Sequence, residues 1–134
     1  MHAISILAMN FRLPKSERLY SQKLIKELFD KSSSFFLYPF KVLYLEGEET
    51  NGGYPQVLFS VSKRKINKAV SRNLMKRRMR EAYRINKHLL SESSSQLFIG
   101  LIYVSSDIME FKQVEEKIKL ILHRINKEQK NENE

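Results

Sequence analysis

Residues 67–88 read NKAVSRNLMKRRMREAYRINKH. At 3.6 residues per turn the apolar Val70, Leu74, Met75, Met79, Ala82 and Tyr83 recur at spacings of three and four, which predicts one amphipathic helix. Asn67 is the expected N-cap. Arg72, Lys76, Arg80 and Arg84 stack four residues apart, with Asn73 and Arg77 beside them. Met75, Met79 and Ala82 lie opposite and are expected to dock on a sheet. About 19 residues give a helix about 28 Å long. Like charges at i, i+4 repel. A stripe of this kind is expected to be neutralised by a bound anion.

The charge of the whole chain is organised around this segment. Net charge is +9 over 134 residues. Between Lys63 and Lys87 stand 11 of the 24 basic residues and a single acid, Glu81, a local balance of +10. The rest holds 13 basic and 14 acidic residues, a balance of −1. A generally basic, soluble surface would spread its charge, whereas a concentrated field suits a polyanion.

On either side of the helix, periodicity gives the remaining elements. Before it, Gln56–Ser62 reads as a strand, and Phe40–Leu45 as another, with Phe40, Val42 and Tyr44 on one face and Lys41, Leu43 and Leu45 on the other. Asn51-Gly52-Gly53, within the Gly47–Pro55 connection, is a hairpin signal between them. Further upstream, Ser21 caps a short helix, Ser21–Asp30, with Leu24, Ile25, Leu28 and Phe29 at helical spacing. Ser32–Ser34 breaks that pattern. Downstream, Leu97–Val104 (LFIGLIYV) is nearly all apolar, the mark of a strand buried on both faces. Asp107 is the expected cap of a last helix carrying Phe111, Val114, Ile118, Ile121, Leu122 and Ile125. The fold class is α+β, a two-layer α/β sandwich in the order α-β-β-(β)-α-β-α, the bracketed strand being optional. The elements do not alternate as in a doubly wound sheet. The expected organisation is a flexible N-terminus at 1–11, a single RNA-binding α/β domain at 12–126, and a flexible polar tail at 127–134.

Several classes are excluded. There is no cysteine, hence no disulfide framework, thiolate metal site or cysteine nucleophile, which fits a cytoplasmic location. Residues 1–11 lack a basic region, and Arg12 arrives too early for a secretion signal. No apolar run reaches the ~18 residues of a membrane span. His2, His88 and His123 have no partners in sequence, and HExxH, paired-Asp and P-loop motifs are missing. No protein catalytic residue and no protein-bound metal is expected.

The chemistry of the stripe fits phosphate. Guanidinium groups make two-pronged hydrogen bonds to phosphate oxygens, and lysine supplies point charge. Asn73 can donate and accept at a base edge or ribose hydroxyl. Lys63, Arg64 and Lys65 stand just before the helix, where its positive end adds to their field. A plain solvated face is the bland alternative. A membrane-surface helix would need its apolar face, which is committed to the core. A DNA reader would need a helix-turn-helix partner or a dimer interface, and neither is signalled. A structural RNA-binding protein of another ribonucleoprotein, such as the ribosome, stays open.

Residues 69–84, AVSRNLMKRRMREAYR, after LFSVSKR at 58–64, resemble the signature of the protein subunit of bacterial ribonuclease P. RLPKSERLYSQKLIKELF at 12–29 is similar to that family's first helix and its approach, and PFKVLYL at 39–45 to its first strand. The resemblance covers about 12–125. Where the family has Arg-Asn-Arg, this chain has Arg72-Asn73-Leu74, with Arg78 adding charge nearby. Where the family has two aromatics on its first helix, this chain has Ile25 and Phe29. The resemblance implies a ribonucleoprotein that removes the 5′ leader of precursor tRNA, with hydrolysis by the catalytic RNA subunit and Mg2+ held through that RNA. It assigns Lys68, Arg72, Asn73, Lys76, Arg77, Arg80 and Arg84 to the catalytic RNA. It places the leader in a cleft between the first helix and the sheet, near Phe29, Phe40, Val42 and Tyr44. Lys63, Arg64 and Lys65 are counted with the leader residues, although their position could serve either RNA. It also implies a parallel strand pair joined by the basic helix as a left-handed crossover, against the common right hand.

Overall fold

The computed structural model describes residues 13–49, 55–90 and 95–132. The expected N-terminal segment at 1–11 and the Asn51-Gly52-Gly53 turn lie outside them. Helix α1 is Gln22–Lys31, started by Ser21, whose side chain accepts the Leu24 N–H at 3.4 Å. Strands β1 (Ser33–Leu37), β2 (Phe40–Glu49) and β3 (Gln56–Val61) follow, then helix α2 (Ala69–Asn86), strand β4 (Ser95–Tyr103) and helix α3 (Phe111–Glu132). A 3-10 turn at Lys15–Glu17 precedes α1, and another at Lys87–Leu89 follows α2. β1 fills the optional strand position. It lies where the serines suggested only a break, and its apolar Phe35–Leu37 half pairs with β2 across the cis Tyr38–Pro39 turn.

The sheet order is β1-β2-β4-β3, so β2 and β3 are not the hairpin that their connection suggested. β4 lies between them, antiparallel to β2 and parallel to β3, and α2 joins the parallel pair. The reason is burial. Leu97, Phe98, Ile99, Leu101 and Tyr103 are all buried, and only the centre of the sheet covers both faces of such a strand.

The two faces carry different layers. On one, Phe35, Phe40, Val42, Tyr44, Val57, Val61, Ile99, Leu101 and Tyr103 meet α2 (Met75, Met79, Ala82, Tyr83) and α3 (Val114, Ile118, Ile121, Leu122, Ile125) in the main core. On the other, Leu43 and Phe98 join Leu19 and Leu28, with Leu24, Ile25, Leu45, Leu58 and Ile102 packed against them. Gly100 lets α1 come close, since a Cβ there would lie 3.1 Å from Leu28 Cδ2.

Three local expectations change. Val70, read as core, is 82% exposed, because the buried arc of α2 is centred on Met75, Met79 and Ala82. Asn67 does not cap α2. Lys68 holds that position without a side-chain bond, and Arg72 Nη1 instead donates to the carbonyls of Ile66 (2.9 Å) and Asn67 (2.6 Å). Asp107 does not cap α3 either. It closes the turn after β4, its N–H donating to Ser105 Oγ at 3.1 Å and its carbonyl accepting from the Tyr103 hydroxyl, while Glu110 O receives the first helical bond, from Val114 N–H. The polar segment from Lys127 is helical as far as Glu132. Glu128 holds its first turn, accepting from the Tyr44 hydroxyl and from Arg124 Nε (3.2 Å).

Candidate nucleic-acid interface

One helical turn sorts the charges of α2 into three sectors. The core sector is Met75, Met79, Ala82 and Tyr83. Opposite it, Asn73, Arg77 and Arg80 are exposed. Between them, Arg72 and Lys76 are half-buried along one flank, and Arg78 along the other. Among the described residues, Lys76, Arg77 and Arg80 form no ion pair. This leaves their charges directed to solvent or a ligand.

Other members of the stripe are partly engaged within the protein. Arg72 spends Nη1 on the two carbonyls that precede the helix. Arg84 pairs with Glu81, its Nε 3.1 Å from Oε2. That hydrogen bond holds the Glu81 carboxyl below its ordinary range and pushes the Arg84 guanidinium up. Arg78, which sequence reading counted as added surface charge, donates to the Met109 carbonyl at 2.5 Å and so ties α2 to the approach of α3. Lys68 and the turn residues Lys63, Arg64 and Lys65 are exposed. Their loop is pinned by Ser62 N–H to Tyr103 O, by buried Ile66, and by Ile66 N–H to Ser62 O, both bonds at 3.0 Å.

The leader residues divide differently from expectation. Phe40 and Val42 are fully buried and Tyr44 nearly so, all on the face covered by α2 and α3. Phe40 packs edge-on against Tyr103 at 5.4 Å. These three side chains are core, and base stacking on them is excluded by burial. The alternation of β2 was legible, but the face that α1 covers is the opposite one. There the register sets Phe36, Lys41, Ile102 and Ser60 in one row across all four strands. Phe36 is 57% exposed, with Tyr38 at 6.2 Å between ring centroids, and Lys41 is exposed. Phe29, on α1, is 52% exposed. Sequence reading missed Phe36 because β1 was not recognised, although its aromatic content was a usable signal.

No group of three or more His, Cys, Asp or Glu side chains is placed to hold a metal ion among the described residues. No helix there is long and apolar enough to cross a membrane.

The fold and this surface define a polyanion-binding α/β protein: a cationic helix arc fixed on a sheet, with a second, aromatic-edged face beneath α1. Comparison with known proteins narrows that class. The family model described as Ribonuclease P matches residues 13–126. A ribonuclease P protein component of Porphyromonas gingivalis is 40% identical over 119 residues, covering 86% of this chain and 87% of that protein. One from Chlorobium phaeobacteroides is 32% identical over 127 residues, covering 84% and 87%. The solved ribonuclease P protein of Thermotoga maritima superposes with a TM-score of 0.66 at 26% identity, over 81% of this chain and 96% of that one. That of Staphylococcus aureus, with a TM-score of 0.65 at 22% identity over 81% and 94%, shares the fold. The chain belongs to the ribonuclease P protein family, the protein component of a ribonucleoprotein endoribonuclease that matures tRNA 5′ ends. It is an RNA-binding subunit in tRNA processing, and a ribosomal role is not favoured.

Proposed function

We propose that the exposed arc of α2 binds the catalytic RNA subunit and that the α1 side of the sheet receives the 5′ leader of precursor tRNA. The observation that carries this reading is the unpaired cationic arc Lys76, Arg77 and Arg80, with Asn73 beside it, on a helix whose other face is fully committed to the core. Lys68, Arg72 and Arg84 contribute at its margins, the last two with part of their bonding capacity already used. The leader runs past Phe29, Phe36 and Lys41, where exposed aromatics offer stacking at about 1–3 kcal/mol per base. Lys63, Arg64 and Lys65 supply charge to the leader. Hydrolysis is carried out by the RNA with Mg2+ held through the RNA, and the protein's residues bind and position. The domain acts as one RNA-binding unit over 12–126 in the cytoplasm.

Reconstitution tests this. Added to its cognate catalytic RNA at low magnesium, the protein should raise cleavage of precursor tRNA without raising affinity for mature tRNA. Cleavage unchanged by the protein would falsify the reading.

A further inference from the structure

A groove of about 300 Å³ opens where the segment before α1 meets β3 and α2. Leu19, Val57 and Phe59 line its apolar part, and Lys15, Arg18, Tyr20 and Arg80 stand around it. The fold builds this groove deliberately along a sheet edge. β3 is an edge strand, and Arg18 bridges Val57 in parallel while Leu19 N–H donates to Val57 O at 2.9 Å. The segment is thereby laid against β3 and brought beside Arg80.

The charges of that segment are sorted by burial. Its one carboxylate, Glu17, turns inward and is neutralised by Lys87 at 2.8 Å. Its cations Lys15 and Arg18 stay exposed, and among the described residues no acid lines the groove. Lys15 Nζ stands 5.4 Å from the centre of the Tyr20 ring, itself 65% exposed. Three cations, an exposed ring and an apolar floor thus converge. The volume is at the lower end of small-ligand sites, about 300–1,000 Å³, too small for a duplex and suited to one nucleotide.

We propose that this groove takes a single unpaired nucleotide of the catalytic RNA, with its base against the apolar floor and Tyr20 and its phosphates on Arg18, Lys15 and Arg80. The proposal rests on the reading that α2 faces that RNA, because Arg80 belongs to both surfaces. It extends the RNA contact from α2 to the segment before α1. A base adds stacking and apolar contact to a phosphate grip, which separates this site from a plain cationic patch.

The test is a 2′-hydroxyl acylation footprint of the cognate catalytic RNA with the full chain, its Tyr20→Ala, Arg18→Ala and Arg77→Ala variants, and affinity measured alongside. Tyr20→Ala and Arg18→Ala should re-expose the same one or two unpaired nucleotides while the remaining footprint persists. Tyr20→Ala should weaken affinity roughly fivefold or more, and Tyr20→Phe should restore it. Both substituted side chains are exposed, and the Arg18 backbone pairing does not need its side chain. A Tyr20→Ala footprint identical to the wild type, or one weakened evenly everywhere, overturns the groove proposal alone. An Arg77→Ala footprint identical to the wild type overturns the α2 reading, and this proposal with it.

Discussion

Lys87 Nζ lies 2.8 Å from Glu17 Oε1, with the Lys87 side chain wholly removed from solvent and that of Glu17 8% exposed. Seventy residues separate them in sequence. The pair fastens the 3-10 turn at Lys15–Glu17 to the end of α2, so the approach to α1 and the basic helix are held as one surface. A buried pair is a weak source of net stability, but removing one partner strands the other charge. Glu17→Ala should therefore cost about 3–5 kcal/mol in denaturant unfolding. Glu17→Leu with Lys87→Met should recover much of it. A single variant as stable as the wild type would mean that the pair is not formed in solution.

The cationic arc should announce itself through salt. Lys76→Ala, Arg77→Ala and Arg80→Ala should each reduce the slope of log affinity against log salt by roughly one unit or slightly less. Arg84→Ala should reduce it less, because Glu81 already occupies its guanidinium. Titrations of the catalytic RNA at several salt concentrations measure this, and equal effects at all four positions would contradict the assignment of sectors.

Phe36 and Tyr44 separate surface from core. Phe36→Ala should change stability by no more than about 0.5 kcal/mol, as for an exposed side chain. It should also weaken precursor tRNA binding more than mature tRNA binding. Tyr44→Ala should instead cost about 3–5 kcal/mol, because it empties a core site and removes the hydroxyl bonded to Glu128. Parallel unfolding and binding curves decide the matter, and the reverse assignment would fail this account of the sheet faces.

Gly100 sets how closely α1 approaches the sheet. Gly100→Val should cost about 1–3 kcal/mol by overpacking against Leu28 and Leu43. The displacement should appear as amide shifts in α1 with α3 little changed. A stable variant with an unmoved α1 would show that the side chains there have room to spare.

Alkaline pH probes the turn after β4. Burial pushes the Tyr103 phenol above its ordinary value, and the folded protein therefore holds that proton more tightly than the unfolded chain. The contribution is complete below about pH 10 and is lost as pH rises beyond it. Tyr103→Phe should flatten the fall in melting temperature above that pH. The depressed Glu81 carboxyl acts in the opposite sense, its contribution being present above the ordinary carboxylate range and lost as pH falls through it. It is a small effect on a solvated pair.

Local geometry explains what was legible from sequence. The opposed faces of α2 follow from 100° per residue, so a docking face of Met75, Met79 and Ala82 and a cationic face that includes Lys76, Arg77 and Arg80 needed no tertiary information. The apolar run Leu97–Val104 that marks β4 was equally local, as was the family signature across residues 58–84. β2 was different. Its alternation separated Phe40, Val42 and Tyr44 from Lys41, Leu43 and Leu45, but both sets contain large apolar residues. Nothing local says which helix covers which set.

That choice belongs to the assembled sheet, in which β4 lies between β2 and β3. Only the assembled sheet put α2 and α3 over Phe40, Val42 and Tyr44, left Phe36 and Lys41 on the α1 side, and brought Glu17 to Lys87 across 70 positions. A concentrated cationic helix and a strand apolar on both faces could be read from residue order alone. Periodicity and charge are properties of neighbours along the chain. Tertiary structure decided which aromatics face solvent and how the approach to α1 joins the RNA-facing surface, because strand order and buried charge pairing depend on contacts between distant residues.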